Sequence, residues 1–484
     1  MHSNNNLEDV IIVIGAGPAG LTAAYELARN GDYKVVVIEA LDRVGGLSRT
    51  VPTPYGRMDL GGHRFFTKEG RVNDFWHNVA GDMMVERERH SRILYRGHLL
   101  DYPVRLSGDT FRAMGIGGTI RAGWGYMCST IHKRPERSLE DFYINRFGRG
   151  LYSMFFESYT AKVWGVHPSA LSPDWGAQRV KSLSVSKVIK DMLRRRPSGV
   201  DGPTTLIRRF EYPPHGPGQL WEAVADRLEK LGGRVILNTR VDAIVVDCNN
   251  SVTSVKLSDG TTIQGRTVVN TMPLKKLAES LQGAKLSPEA KKIASELQYR
   301  DFIMVGLPVC RESVKMPLTD NWIYIQDKRV NLGRLQVFNN WSRDMVTDPD
   351  NIIWLGLEYF ASKGDRLWTM SDEDMARLAT QELITIGLIN NVADVLVDGI
   401  TRINVPDAYP SYLGAYYHLD RLKGELDAIG GLWTIGRAGQ HRYNNMDHSM
   451  LTGMLAADAI LNGSIDRTPV WSVNTSDDYH EEGK

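Results

Sequence analysis

Cysteine is scarce: Cys128, Cys248 and Cys310 are the only three in 484 residues, and they stand far apart. That excludes a disulfide framework and a cysteine-built metal site, and it fits a reducing cytoplasm. An excess of either charge is also missing. Lys and Arg number 58 against 57 Asp and Glu, a formal net charge of +1, so no strong overall field attracts nucleic acid or anionic lipid. No membrane span is expected, because Val10–Ile14 is far too short to cross a bilayer. The start, Met1-His2-Ser3-Asn4-Asn5-Asn6, is polar and lacks the apolar core of a secretory signal. No Ser-His-Asp set, metal cluster or carboxylate pair stands out. The length does allow two or three domains around a large core.

What the chain has is patterned glycine. Val10-Ile11-Ile12-Val13-Ile14 reads as a buried parallel strand, Gly15-Ala16-Gly17-Pro18-Ala19-Gly20 as a turn, and Leu21–Ala28 as a helix. In such a fingerprint Gly15 makes the tight turn, Gly17 admits a pyrophosphate to the backbone, and Gly20 lets helix and strand pack. The phosphates meet the positive end of the helix. A second strand, Lys34–Ile38, leads into Glu39-Ala40, where the carboxylate can accept hydrogen bonds from a ribose. Beyond it lies a second diglycine, Arg43-Val44-Gly45-Gly46-Leu47-Ser48-Arg49-Thr50. Arg43, Gly45, Gly46, Leu47 and Ser48 are expected at the same pyrophosphate, the alternative being a plain surface turn. The arrangement resembles the family of FAD-binding amine oxidases, desaturases and sugar mutases, which implies FAD.

Further on, Gly61-Gly62 follows a short strand and implies a close approach to a flavin ring, with His63 beside it, structural or functional. A hairpin spans Ser91–Tyr95 and His98–Tyr102. Residues 108–165 read as helical with a break near Gly148, and their stripe Leu139, Phe142, Tyr143, Phe147, Leu151 and Phe155 reads as core. Trp164 and Arg179 could line one cleft, stacking on a planar group and pairing with a phosphate. Residues 182–210, with Lys187, Lys190 and Arg194-Arg195-Arg196, read as a solvated loop or, alternatively, a basic lid over an anionic substrate. Then come a helix over Trp221–Leu231, a strand over Arg234–Ile244, hairpin strands around Asp259-Gly260, and Thr267–Met272. Residues 300–360 are strand-rich, with Tyr324 and Arg334 on adjacent strands; Ser371 caps a helix over 371–390, and Tyr409-Pro410 marks a turn. Gly431–Gly439 and Arg442–Ser449 lead into a helix from about Met450 to Leu461, which suits the ribityl chain or pyrophosphate.

The fold class expected is α/β. A Rossmann-like FAD-binding domain is built from 1–105, 215–295 and 425–465, with a helical cap insertion and basic flap at 106–214. An antiparallel-sheet substrate domain covers 296–424, and 466–484 forms a polar tail.

Several separated stretches fit one family together: Gly15–Gly20, Gly45-Gly46, Gly61-Gly62-His63, Tyr159-Thr160-Ala161-Lys162-Val163-Trp164, Gln178-Arg179-Val180, Trp322-Ile323-Tyr324, Arg334, Tyr409-Pro410, Gly436-Arg437 and Arg442-Tyr443 with Asn445–Ser449. In these the chain resembles UDP-galactopyranose mutases, particularly the larger eukaryotic kind. The resemblance implies these roles. His63 lies on a loop at the flavin face. Thr160, Trp164 and Arg179 line the substrate cleft. Tyr324 and Tyr409 contact a diphosphate that Arg334 and Arg437 neutralise, and Tyr443 and Asn445 sit near the diphosphate and the flavin. Val241 reaches the adenine through its backbone, and Thr271, Met272, Gly436, Met446, Asp447 and Ser449 join the cofactor contacts.

The chemistry implied is redox-neutral. N5 of reduced flavin attacks the anomeric carbon and expels UDP, the adduct opens and recloses as a five-membered ring, and UDP returns. Pyranose and furanose sugars so interconvert, with NAD(P)H a candidate reductant and cell-surface polysaccharide synthesis the implied setting. The oligomeric state stays open. Two positions and one segment depart from the pattern: Thr160 stands where larger members carry Asn, though bacterial members have Thr, Trp341 replaces an expected tyrosine, and 182–210 matches nothing in it. The alternatives are an FAD oxidoreductase of the amine oxidase, protoporphyrinogen oxidase or desaturase type, and a non-catalytic nucleotide-binding protein. Arginines in the cleft predict an anionic substrate, whereas aliphatic walls would suit an oxidase of apolar molecules.

Overall fold

The structure, a computed structural model, describes residues 10–102, 108–173 and 209–474. Expectations for Arg179 and for 182–208 lie outside the described residues.

Two sheets organise the described chain. The first is parallel, in the order Leu432–Thr434, Thr267–Asn270, Val10–Ile14, Lys34–Ile38, Arg234–Ile236. Its central strand Val10–Ile14 reads as an unbroken apolar run because both of its faces are covered. Ile11 and Val13 pack with the helices Pro18–Asn30, Gly218–Lys230 and Met446–Leu461. Ile12 and Ile14 face the other way, toward a small four-stranded sheet that includes Val241–Val246 and Val252–Leu257. The expected single strand over Arg234–Ile244 is therefore two. Asn238, at φ 53°, turns the chain between them, and each half joins a different sheet.

The second sheet has seven strands in the order Thr401–Pro410, Tyr299–Cys310, Ile352–Ala361, Arg334–Val337, Trp322–Ile325, Ser91–Tyr95, His98–Asp101. It is mixed rather than purely antiparallel. The 91–101 hairpin, expected beside the nucleotide fold, pairs in parallel with Trp322–Ile325. Tyr409-Pro410 ends an edge strand instead of making a turn, a place where a missing N–H is tolerated. The central strands are buried on both faces with a period of two. Ile303, Val305, Leu335, Val337, Leu355 and Leu357 pack toward the helix Asp372–Thr385, which Ser371 caps as expected. Phe302, Met304, Trp322, Trp354 and Phe360 pack the opposite way, against the helices Leu139–Phe155 and Glu157–Trp164.

Those helices and Gly108–Ile131 make up the expected helical region, broken at Gly148 with φ 76°. Leu139, Phe142, Tyr143 and Phe155 are buried in it as core. The tail expectation needs correction. Thr468–Ser472 is a helix that buries Val470 and Trp471, and Arg442 Nη1 donates to the Val473 carbonyl at 2.9 Å. An apolar pair at that spacing has somewhere to go.

A Cβ on Gly20 would lie 2.0 Å from the Gly15 carbonyl oxygen, whereas a Cβ on Gly123 of the helix Gly108–Ile131 meets nothing within 4 Å. Gly20→Ala should therefore cost about 1–3 kcal/mol or more through overpacking. Gly123→Ala should gain about 0.5–1 kcal/mol in helix propensity. Thermal denaturation of the two variants should shift in opposite directions; equal shifts would contradict this packing.

Candidate active site

At the carboxyl ends of the parallel strands two stretches of main chain lie against each other. A Cβ on Gly46 would sit 3.0 Å from Gly17 Cα, and Gly45 N–H donates to the Ala16 carbonyl at 2.8 Å. Arg49 fastens the second loop by donating to the Gly46 carbonyl at 2.7 Å. Gly17 is the N-cap of Pro18–Asn30 and brings no side chain to it, so the positive end of the helix is left facing forward. Glu39 is buried beside it; one carboxylate oxygen accepts the Ala16 N–H at 2.7 Å and the other the Leu41 N–H at 3.0 Å. Each oxygen keeps a second lone pair for a ribose hydroxyl.

Thr271 Oγ1 donates to the Ile14 carbonyl at 2.7 Å and occupies the space over Gly15, which turns at φ 98°. Gly436 packs on Ala19, its absent Cβ lying 2.8 Å from that of Ala19. Met446, Asp447 and Ser449 are buried in the first turn of the helix that Asn445 caps, one turn earlier than expected. Arg43 is paired with Asp42 at 2.9 Å, Ser48 is buried with its N–H on the Gly45 carbonyl, and Leu47 is partly buried. Ala40 is exposed, Met272 packs beside the small sheet, and Val241 pairs with Leu257 in it.

The second half of the site lies on the seven-stranded sheet. Tyr324 and Arg334 are direct cross-strand partners, and Arg334 in turn faces Glu358. Arg334 Nη2 reaches Glu358 Oε2 at 2.5 Å and donates to the Tyr409 hydroxyl at 2.6 Å. The other Glu358 oxygen accepts from Gln336 Nε2 at 2.8 Å. Burial opposes the charge on Arg334, but Glu358 and the surrounding tyrosines outweigh it, and its pKa stands well above the usual value. Tyr409 stacks on Tyr443 with centroids 5.8 Å apart, and the Arg437 guanidinium lies over Tyr443 at 4.6 Å. Arg437 donates to the carbonyls of Asn444 and Ala408 at 2.7 and 3.3 Å.

Burial, with Arg437 and Arg334 nearby, pushes the His63 pKa down to about 3, so its ring is neutral. Its Nδ1 is buried without a partner among the described residues, as is Arg334 Nε. FAD fits these features: a backbone cradle with no side chains in it, an open helix end, a buried carboxylate at the ribose position, and a buried imidazole nitrogen seeking a partner.

The structure thus brings His63, Tyr324, Arg334, Tyr409, Tyr443 and Arg437 into one region. Thr160 and Trp164 lie behind it, 4% and 6% exposed, and Trp164 is part of the core. Trp341 is also core, stacked on Trp322 and close beneath Gly62.

Three residues went unassigned in the sequence. Tyr159 packs edge-on to Tyr324 at 5.6 Å, and burial raises its pKa far above the usual range. Glu358 is a lone carboxylate in an apolar run, which was itself a signal, since a buried charge requires a partner. Lys162 Nζ donates to the carbonyls of Asp327 and Leu332 at 2.7 and 3.1 Å, tying the helix Glu157–Trp164 to the loop before Arg334. Burial lowers its pKa to about 8.

A family model described as flavin containing amine oxidoreductase matches residues 18–461. The fold is similar to a crystal structure of reduced UDP-galactopyranose mutase, with a TM-score of 0.81 and 24% identity over 96% of each chain. By sequence the chain is 25% identical to a phytoene desaturase of Rhodobacter capsulatus over 54% of this chain and 51% of that protein. It is 27% identical to a probable UDP-galactopyranose mutase of Klebsiella pneumoniae over 33% of this chain and 42% of that protein. The chain thus spans about half or less of the length of these two relatives.

Beneath the Gly61-Gly62 loop, Asp59 accepts from Thr50 Oγ1 at 2.7 Å and from the Tyr212 hydroxyl, and burial raises its pKa to about 7. The folded state therefore holds a proton that the unfolded chain releases near pH 4, and the stability this contributes is lost as pH rises from about 4 to about 7. Asp59→Asn should abolish that loss. The variant's stability relative to the parent should improve across this window and stay level above it, measured by denaturant unfolding at several pH values. A pH-independent difference would contradict the assignment.

Proposed function

The chain belongs to the flavin containing amine oxidoreductase family, and we propose that within it the protein is a flavin-dependent mutase that interconverts pyranose and furanose forms of a nucleotide-diphosphate sugar. The observation that carries this reading is the wall of the cleft, in which Arg334, Arg437 and tyrosine hydroxyls gather on one sheet face and the adjoining glycine-rich turn. Guanidiniums and phenols of this kind match the oxygens of a diphosphate.

The cofactor would be held by Gly15–Gly20, Glu39, Gly45-Gly46 and Gly436, with His63 at its far end. When bound and reduced, the flavin supplies a nucleophilic nitrogen toward an anomeric carbon. The chain's own residues bind and orient. Tyr409 accepts a hydrogen bond from Arg334, so its own O–H is left to donate, and burial keeps it protonated, with its pKa up at about 12. Arg437, stacked on Tyr443, has no carboxylate partner among the described residues and offers the second positive charge. The similarity to UDP-galactopyranose mutases supports UDP as the nucleotide, and the three free cysteines fit a reducing compartment such as the cytoplasm.

One observation favours the oxidoreductase alternative. Glu358 neutralises Arg334 internally, a balance that an uncharged substrate would also accept. Chemically reduced protein should interconvert pyranose and furanose nucleotide sugars without net consumption of reductant. Turnover by the oxidised form alone, with hydrogen peroxide accumulating, would show an oxidase.

Arg437→Ala should weaken nucleotide-diphosphate binding by about 1.5–3 kcal/mol, the scale of a hydrogen bond to a charged group. Arg334→Ala should cost at least as much, because it also strands Glu358. Unchanged binding in Arg437→Ala would remove that residue from the site.

A further inference from the structure

We propose that the helix Gly108–Ile131 docks the protein on an anionic lipid surface. Gly115, at φ 68°, breaks this helix, and the part beyond it runs on as a separate rod. Its inner face is set by Gly118, Ala122, Gly125 and Ser129. Ala122 and Ser129 are buried, Gly118 lies against Met154, and a Cβ on Gly125 would sit 3.0 Å from the Gly150 nitrogen. Ile116, Ile120, Trp124, Met127 and Ile131 recur at spacings of three and four, and at 3.6 residues per turn they lie opposite that inner face. They are 84%, 66%, 66%, 51% and 72% exposed. Five large apolar side chains in one outward stripe are not the scattered surface hydrophobics that need no explanation.

The charge along the stripe chooses the occupant. Between Thr110 and Pro135 there is no Asp or Glu, while Arg112, Arg121, His132, Lys133 and Arg134 are all basic or protonatable. Arg112 and Arg134 have carboxylate partners, Asp109 and Asp141; Arg121 and Lys133 have none among the described residues. A second copy docked on this stripe would set basic side chains against basic side chains with no acid to pair them. Lipid phosphates supply the missing negative charge to extended Arg and Lys side chains, while Trp and Ile enter the boundary between headgroups and acyl chains. The net charge of +1 over the whole chain does not oppose this, because the attraction is local to one helix. No helix among the described residues is long and apolar enough to cross a membrane, so the helix would lie in the surface.

The test is co-flotation of the flavin-loaded full chain with vesicles of phosphatidylcholine alone or mixed equally with phosphatidylglycerol. The protein should float with the mixed vesicles and not with phosphatidylcholine alone. Ile120→Glu with Ile131→Glu should lower the bound fraction at least about ten-fold, with flavin content and melting temperature unchanged. Arg121→Glu with Lys133→Glu should lower it on the mixed vesicles as well. Three results would each overturn the proposal. They are a parent protein left behind by the mixed vesicles, an isoleucine variant that binds undiminished, and a parent dimer in solution that this variant turns into a monomer without any flotation.

Discussion

Glu358 sits in a strand whose ten residues are all buried, and it can stay there only because Arg334 faces it across the ladder. Removing one partner of such a pair leaves an uncompensated buried charge and costs about 3–5 kcal/mol. The site depends on this constraint. With Glu358 holding it, and Gln336 holding Glu358, Arg334 has one place to be, and from there it orients the Tyr409 hydroxyl and packs over Phe360. Tyr324, its neighbour on the next strand, is fixed by the same register. The period of two then does the sorting: Arg334, Glu358, Tyr324 and Tyr409 on the face toward the helices Leu139–Phe155 and Glu157–Trp164, and mainly aliphatic side chains, with Tyr359, on the face toward Asp372–Thr385.

The nucleotide end is built on a different principle, the absence of side chains. Gly17 and Gly46 let two loops from separate strand ends touch through their backbones, and Gly453 lets the helix Met446–Leu461 cross Pro18–Asn30 so closely that a Cβ there would lie 2.5 Å from the Ala19 carbonyl. The late helix thereby carries Asn445 and the Arg437 turn to the same region as the first glycine loop. A charged, side-chain-rich wall beyond a bare backbone cradle is the division expected where a cofactor performs the chemistry and the protein positions a polar substrate.

Much of this was legible in the sequence where its cause is local. Gly20 and Glu39 have their reasons within one strand–turn–helix–strand unit, and Tyr324 and Arg334 lie on paired strands joined directly by 326–333. The buried helical stripe followed from its spacing. Other features depend on partners far along the chain and leave no local trace. The parallel pairing of Ser91–Tyr95 with Trp322–Ile325, the burial of Trp471 and the hold of Lys162 on the Leu332 carbonyl are of that kind. The split of Arg234–Ile244 was hidden for another reason: both halves are β-branched, and only the left-handed Asn238 separates them. Glu358 was visible as a charge in an apolar run, but its partner was not.

The proposed mutase requires the cleft beyond the glycine cradle to bind a diphosphate. The most direct test is calorimetric titration of the flavin-loaded protein with UDP and, separately, with uridine. Saturable one-to-one binding of UDP that weakens with added salt is expected, with uridine bound more weakly by roughly two orders of magnitude, about 2.7 kcal/mol. Equal affinity for the two, or no binding of UDP, would contradict it.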